Sequence, residues 1–225
     1  MKIKTDSSIR TAFCLLLSIF LSSVVYSQSK DKALSKIYLQ GAVGGASHSG
    51  FVSELSVQGV IKNNWVATLS YHNIDMEPKN TPDDFDPGMA IVLLIPIPGE
   101  KPNVDMNLIS LTVGKYFKGG RNTWFTAEGG LSAVSGKKIN FSPNKEGSST
   151  WIFPLLFGET ASNYVFTEEE KKTTMGAMLK ADFNWAFSSF AGLGGGVFAN
   201  INSIQSPVGF HIKLIVGKMN RQKKS

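Results

Sequence analysis

The segment VGFHIKLIVG, which runs from Val208 to Gly217, decides the fold class. Its apolar residues recur at every second position, the period of a β-strand with one face in an apolar environment and the other in a polar one. His211 and Lys213 fall on the polar face, and Ile215 is the exception to the alternation. The apolar face consists of Val208, Phe210, Ile212, Leu214 and Val216.

Seven more segments of about ten residues show the same alternation. No apolar run after residue 27 reaches the roughly 18 to 20 residues of a membrane-spanning helix. The pattern therefore predicts an all-β fold with an even number of strands. The seven segments are residues 36–46, 51–62, 65–72, 105–117, 123–135, 174–186 and 189–201.

The connections between these segments alternate in length. Short polar turns are predicted at Lys62–Asn64, Lys118–Asn122 and Ser188-Ser189. The alternate connections include two long ones, residues 75–104 and 136–173, and two shorter ones, Ala46–Gly50 and Asn202–Ser206. Short turns on one rim and long loops on the other are typical of barrels in bacterial outer membranes, with the short turns in the periplasm. The predicted fold is an eight-stranded antiparallel up-and-down transmembrane β-barrel. An interfacial aromatic girdle is predicted at the short-turn rim, from Trp65, Tyr116, Phe117, Trp124, Trp185 and Phe187.

The N-terminus has the order of a secretory signal peptide. Basic residues, among them Lys2 and Arg10, precede the apolar run from Ala12 to Tyr26, which ends in small and polar residues. The single cysteine, Cys14, lies in this segment, so the exported chain is predicted to lack disulfides and thiolate metal sites. The predicted division is a signal peptide at 1–27, a β-barrel at 28–219 and a basic periplasmic tail at 220–225.

Charge and composition limit the partners. The formal net charge of +6 is not arranged as a basic stripe interleaved with aromatic residues, so we expect no nucleic acid partner. The acidic stretch DDFDPG, at residues 83–88, lacks the ligand spacing of a calcium loop, and we expect neither a metal nor a cofactor. Outer-membrane lipid is the expected surrounding partner.

Two of the alternating segments carry a resemblance to a known family. SLTVGKYF, from Ser110 to Phe117, and GFHIKLIVGK, from Gly209 to Lys218, resemble strands of the small eight-stranded outer-membrane β-barrels of Gram-negative bacteria. With the strand and loop layout, the resemblance covers roughly residues 30–219. It implies a membrane barrel in a family whose members are structural proteins, adhesins and a few lipid-modifying enzymes.

The polar faces predict the contents of the barrel. Eight strands enclose a lumen just wide enough for side chains, so a water-filled pore is disfavoured. Charged groups in this lumen should pair across strands, because an unpaired buried charge is costly. The predicted polar network consists of Glu54, His72, Glu128, Lys180, Asp182, His211 and Lys213.

Catalysis is the alternative interpretation of this polar face. One branch of the resembled family removes acyl chains from lipid A with a serine, a histidine and an acid, and Ser70, His72 and Glu54 supply these residue types. His48, between Ser47 and Ser49, is a second candidate at the outer rim. The face of Ser70 points into the lumen and away from lipid, so we assign no catalytic residue.

Both long connections contain apolar stretches, MAIVLLIPI at residues 89–97 and WIFPLLF at 151–157. They either pack on each other above the membrane or form an exposed patch for a surface glycolipid or a protein. Thr167 to Glu170 has capping-box spacing, which predicts a helical turn. The candidate contact residues are Ile91, Leu93, Leu94, Ile95, Trp151, Phe153, Leu155 and Phe157.

The sequence thus favours a non-enzymatic integral outer-membrane barrel that is envelope-structural or binds at the surface through its loops. The alternatives are a lipid A-modifying barrel enzyme and a soluble, lipocalin-like periplasmic ligand binder. In the lipocalin-like barrel the apolar face would point inward. The polar faces contain many Gly, Ser and Thr residues and too few charges for a solvated exterior, which favours the membrane barrel.

Overall fold

The computed structural model describes residues 34–85, 89–92, 95–98, 102–143, 149–152, 157–160, 164–168 and 171–219. The predicted signal peptide and basic tail lie outside these residues. Within the described ranges, no helix is long and apolar enough to cross a membrane. The described strands are β1 (Leu34–Ala46), β2 (Gly50–Ile61), β3 (Trp65–Met76), β4 (Met89–Val92), β5 (Ile95–Pro98), β6 (Val104–Lys118), β7 (Thr123–Gly136), β8 (Ile139–Pro143), β9 (Ser149–Ile152), β10 (Phe157–Thr160), β11 (Tyr164–Glu168), β12 (Lys172–Ala186), β13 (Ala191–Ile201) and β14 (Val208–Gly217).

Eight of these strands close into an antiparallel barrel in the order β1-β14-β13-β12-β7-β6-β3-β2. Every pair of sequential barrel strands is adjacent, and β14 closes the barrel on β1. The predicted eight-stranded up-and-down barrel is confirmed, and each strand begins within two residues of its predicted start. The alternation was sufficient to predict the strands and their faces. A shift of one residue would turn the apolar face of a strand toward the lumen, so the pattern allows only one orientation.

The connections also follow the predicted asymmetry. A single 3-10 turn, Lys62–Asn64, joins β2 to β3, and Asn63 and Asn64 have φ values of 62° and 59°. Asparagine tolerates this left-handed conformation better than most residues. The long connections contain β4 and β5 between β3 and β6, and β8 to β11 between β7 and β12. At the start of the predicted helical turn, Thr167 and Glu168 belong instead to β11, which pairs with β8, and Glu169 and Glu170 lie outside the described residues.

The exterior of the barrel is apolar and the interior is polar. On β14, Ile212 is 64% exposed whereas Lys213 is 1% exposed. This arrangement suits a barrel surrounded by lipid, because charged groups on a lipid-facing strand surface are costly. The lipocalin-like alternative is wrong, because it requires the apolar faces to line the cavity.

Two apolar clusters occupy the ends of the lumen. The long-loop cluster lies where the strands meet the long connections, and the short-turn cluster lies at the opposite end. Ile215, the exception in the β14 pattern, belongs to the short-turn cluster and is fully buried. The buried members of the long-loop cluster are Val52, Ile74, Met76, Val104, Met106, Leu108, Val134, Ile139, Met178 and Phe198. The short-turn cluster consists of Tyr38, Val60, Val66, Tyr116, Trp124, Ala186, Ile215 and Met219.

The predicted aromatic girdle is wrong at two of its six positions. Tyr116 and Trp124 are buried inside the short-turn cluster, where Trp124 stacks on Tyr38 with ring centroids 5.5 Å apart. Tyr116 alternates in phase with Thr112, and Trp124 with Glu128, both of which face the lumen. The girdle prediction used only the proximity of these two residues to a strand end, whereas the alternation places both side chains inside the barrel. The four exposed girdle residues are Trp65, Phe117, Trp185 and Phe187.

Candidate functional site

All seven residues predicted for the lumen lie on barrel strands and are buried between the two apolar clusters. The alternation of each strand turns them inward, and the closed barrel brings residues from distant parts of the sequence together. Glu54 comes from β2, His72 from β3 and Glu128 from β7. Lys180 and Asp182 come from β12, which lies opposite β2 in the closed barrel, and His211 and Lys213 come from β14.

One ion pair crosses the lumen, and others join strands on the same side of the barrel. The Lys180 ammonium group donates a hydrogen bond to Glu54 Oε1 across the barrel. Asp182 contacts two cationic or basic groups, with its Oδ1 2.8 Å from His211 Nε2 and its Oδ2 2.8 Å from Lys213 Nζ. Both of these buried carboxylates thus have charged or hydrogen-bonding partners, as the cost of burying an isolated charge requires.

Neutral side chains complete this network. Glu128 accepts hydrogen bonds of 2.7 Å from Gln58 Nε2 and from Thr112 Oγ1. Gln40 Oε1 accepts a bond of 3.2 Å from Lys213 Nζ. The sequence-based set omitted these neutral residues because it considered only ionisable groups. The period of two that placed Glu54 inside also places Gln58 inside, so the pattern contained the missing signal.

Glycines on β13 provide the space for the Asp182 ion pairs. A Cβ atom at Gly196 would lie 2.1 Å from Asp182 Oδ1, and one at Gly194 would lie 2.4 Å from Asn184 Oδ1. Neither distance is compatible with a side chain. Gly195, which faces outward between them, would place a Cβ atom no closer than 3.5 Å to any neighbour.

The order of contacts from Ser70 to His72 to Glu54 resembles that of a catalytic triad. His72 Nε2 is 3.1 Å from Ser70 Oγ, and His72 Nδ1 is 3.7 Å from Glu54 Oε2. The latter distance is too long for a hydrogen bond, and neither of its two atoms has a hydrogen-bond partner among the described residues. The Ser70 hydroxyl is also 2.8 Å from Ser110 Oγ, which is the shorter of its two contacts.

The burial of Ser70 and His72 also distinguishes them from a catalytic site that acts on lipid. Ser70 and His72 have no exposed surface, and apolar clusters lie above and below them in the lumen. A hydrolase acting on lipid needs its serine within reach of the acyl ester. The arrangement therefore supports a packing and hydrogen-bonding role in the lumen.

His48 occupies the tight turn between β1 and β2, and it is exposed. Its φ of 55° and that of Ser49, 52°, place both residues in the left-handed conformation. The His48 carbonyl oxygen accepts a hydrogen bond of 3.0 Å from the Glu77 backbone N–H. The described contact of this residue thus holds the β1–β2 turn against the end of β3.

The two long connections meet through their backbones. β4 pairs with β10, and the outer strands β5 and β9 complete a four-stranded sheet in the order β5-β4-β10-β9. Among the predicted contact residues, Ile91 and Trp151 are both aligned with Gly158. Leu93, Leu94, Phe153 and Leu155 lie outside the described residues. The adjacent register row consists of Ile95, Val92, Phe157 and Ile152.

Aromatic contacts and hydrogen bonds link other parts of the long connections. The Phe85 ring packs edge-on against Phe141 of β8, with centroids 5.4 Å apart. Tyr164 of β11 donates a hydrogen bond of 2.9 Å to Asp84 Oδ1, and this bond raises the pKa of the Tyr164 phenol. Asn80 donates a bond of 2.8 Å to the Ile139 carbonyl oxygen. The first long connection is therefore attached to the β8–β11 strand pair of the second.

No group of three or more His, Cys, Asp or Glu residues in the described ranges is arranged to hold a metal ion. The network in the lumen contains enough acidic and basic groups for a metal site. Its carboxylates are instead engaged by Lys180, Lys213, His211 and neutral donors.

Comparisons with known proteins give similarity to solved structures. No protein-family model matches the chain, and no curated protein sequence matches it. The N-terminal β-barrel domain of Pseudomonas aeruginosa OprF is 10% identical, with a TM-score of 0.47 over 81% of this chain and 96% of that chain. Ail, the attachment invasion locus protein of Yersinia pestis, is 9% identical, with a TM-score of 0.44 over 82% of this chain and 97% of its own.

Neisserial surface protein A is 14% identical, with a TM-score of 0.46 over 80% of this chain and 95% of that chain. The similarity concerns the fold. The strand order, closure and loop asymmetry of this chain are those of a small eight-stranded outer-membrane β-barrel.

Proposed function

We propose that the protein is an integral outer-membrane β-barrel without catalytic activity that binds a surface glycolipid through its long outer connections, residues 75–104 and 136–173. The observation that carries the proposal is the pairing of β4 with β10, which joins the two connections into one sheet. A hairpin can be closed by two to five residues, so connections of this length with their own sheet exceed what the barrel needs.

The lumen supports the proposal by leaving little room for another role. Its middle is filled by paired charged groups and its ends by apolar clusters. A solute has no continuous aqueous path through such an interior, which disfavours transport. The outer connections are therefore the candidate functional surface, because loops on a rigid scaffold are frequent binding sites.

The composition of the loop sheet favours an apolar partner. The row Ile95, Val92, Phe157 and Ile152 is apolar across all four strands. The outer connections lie at the level of the glycolipids of the same membrane in barrels of this layout. A glycolipid is amphipathic and its acyl chains begin beneath its headgroup, so a contiguous apolar row next to the membrane surface is suited to contact their upper ends.

The test is the binding of purified lipopolysaccharide to the protein in an uncharged detergent. The variants Ile95→Glu and Phe157→Glu place charge in the apolar row, and Ser149→Glu introduces the same charge in another row as a matched control. We expect the first two variants to weaken binding at least tenfold and Ser149→Glu to leave it unchanged. Equal binding by all the proteins would overturn the proposal.

A genetic experiment separates surface binding from an envelope-structural role. A deletion strain is complemented with the full chain or with a barrel in which residues 86–101 and 144–163 are replaced by Gly/Ser linkers. We expect the loop-replaced barrel to reach the outer membrane but to fail in lipopolysaccharide binding. If the loop-replaced barrel fully restores the resistance of the deletion strain to detergent, the envelope needs only the barrel.

A further inference from the structure

A cavity of about 330 Å³ lies at the short-turn end of the barrel, separate from the polar network and from the outer loops. Its walls come from the starts of β1 and β7, the end of β6 and the turn between β6 and β7. In barrels of this layout the short-turn end faces the periplasm. The residues that define its chemistry are Lys36, Lys118, Arg121, Tyr38, Tyr116 and Trp124.

Three cationic side chains contribute to this cavity, and no carboxylate is among its lining residues in the described part of the chain. Lys36 is held over the aromatic wall, with its Nζ 5.3 Å from the centroid of the Tyr116 ring and 3.4 Å from the Tyr116 hydroxyl oxygen. The like charges of Lys36 and Lys118 repel each other, so an anion in the cavity would relieve the repulsion. The other polar walls are hydroxyl and amide side chains.

Two lining residues have buried polar atoms without partners among the described residues. The Trp124 indole N–H lacks an acceptor, although the residue is only 4% exposed. Asn122 Oδ1 lacks a donor. A buried donor without an acceptor is costly, and such atoms in a native structure call for an explanation. A ligand with both an anionic acceptor and a hydroxyl donor would meet both needs.

We propose that this cavity is a binding site for a phosphate ester, entered from the periplasmic side. A phosphate monoester carries a charge near −2 at pH 7 and three acceptor oxygens, which matches a group of cations better than a single carboxylate does. Lysine binds phosphate as a point charge, and arginine binds it through paired N–H groups. The phosphate comes either from a soluble monoester or from the headgroup of a phospholipid in the adjacent leaflet, which is a phosphodiester with a single negative charge.

The first experiment is calorimetric titration of the refolded, full-length protein with glycerol 3-phosphate in an uncharged maltoside detergent at constant ionic strength. We expect saturable binding, and none of glycerol itself. Lys36→Gln and Lys118→Gln should each weaken binding about tenfold, because each removes a charge-assisted contact. Every variant is first shown to have the folded, heat-modifiable form.

Lys115→Gln is the matched control. Lys115 lies on the same strand as Lys118 but on the outer face, with its Nζ 3.9 Å from the centroid of the Trp65 ring. We expect this variant to bind like the unmodified protein, and Lys118→Arg to retain binding because it keeps the charge. An effect of Lys115→Gln equal to that of Lys118→Gln would overturn the assignment of the site.

A second arm identifies the source of the phosphate. Phosphatidylglycerol is added to the micelles before the titration with glycerol 3-phosphate. Loss of the binding heat for the unmodified protein identifies a lipid headgroup as the competing occupant. Unchanged binding identifies a soluble ester. If neither glycerol 3-phosphate nor phosphatidylglycerol binds in a manner that depends on Lys36 and Lys118, the proposal is wrong.

Discussion

The middle of the lumen and its two ends are built from the same inward positions but differ in chemistry. In the middle, Glu54, Lys180 and Asp182 belong to one set of ion pairs, which is connected through His211, whose Nδ1 lies 3.9 Å from Glu54 Oε2. At the ends, the inward positions carry residues such as Leu108 and Trp124, which pack in apolar clusters. The ends separate the charged middle from water on either side of the membrane.

This difference shows how a barrel can contain charged residues without being a pore. Charges close to bulk water are screened, whereas charges enclosed by apolar groups interact strongly and must be paired. The ion pairs therefore depend on the clusters that enclose them. The consequences can be measured by altering the middle and the ends separately.

The largest expected effect is that of Lys180→Met, which removes the lysine that is hydrogen-bonded to Glu54 and leaves the carboxylate buried with only histidine rings near it. We expect the free energy of unfolding to fall by about 3–5 kcal/mol, the range for breaking one side of a buried ion pair. The measurement is urea-induced unfolding of the barrel in lipid vesicles. The double variant Lys180→Met/Glu54→Gln should recover part of the loss, because no charge is then left unpaired.

A loss below about 1 kcal/mol for Lys180→Met, the value typical of an exposed ion pair, would contradict an enclosed middle layer. It would mean that water reaches Glu54 and that the long-loop and short-turn clusters do not enclose it.

At the long-loop end, Leu108→Ala should lower the free energy of unfolding by about 2–5 kcal/mol, because it leaves a cavity in a packed cluster. Leu111→Ala, on the same strand, is the control because Leu111 is 54% exposed on the outer face. Lipid chains can fill the space left at residue 111. The effect of Leu111→Ala should therefore be clearly smaller in the same vesicle assay, and equal effects would contradict a tightly packed cluster.

Gly196→Ala tests the space around Asp182. Its Cβ atom would overlap the carboxylate that binds His211 and Lys213, so we expect a loss of about 1–3 kcal/mol, as for an overpacked core. Gly195→Ala is the matched control on the outer face of β13 and should change the free energy of unfolding by less. A larger loss for Gly195→Ala would mean that backbone effects, rather than the Asp182 contact, decide the result.

The smallest effect is expected for Ser70→Ala. It removes the hydroxyl that contacts Ser110 Oγ and His72 Nε2, and we expect a loss of about 1 kcal/mol in the free energy of unfolding, because Ser110 Oγ lies 3.5 Å from His72 Nε2 and can still pair with it. Mass spectra of lipid A from cells producing Ser70→Ala, His72→Ala or the unmodified protein should be identical. A lipid A species that disappears in both variants would show that Ser70 and His72 act catalytically and that the lumen opens during function.

The fold was predictable from the sequence because a strand at an apolar–polar boundary has a period of two in its residues. All eight barrel strands were found in this way, and Glu54, His72 and Lys213 were placed inside by the same rule. Where the prediction departed from the rule, as for Tyr116 and Trp124, it was wrong. The β4–β10 pairing was not predictable, because short apolar stretches in loops do not reveal their partners.

The sequence by itself determined the strand number, the face of each strand and the short and long rims, because these depend on local alternation and on chain length. Only the tertiary structure decided which inward groups meet, such as Lys180 with Glu54 from the opposite wall. It also decided that Gly196 leaves room for Asp182 and that Lys36, Lys118 and Trp124 line one cavity. These contacts depend on the closure and register of the barrel, which bring together residues that are far apart in the chain.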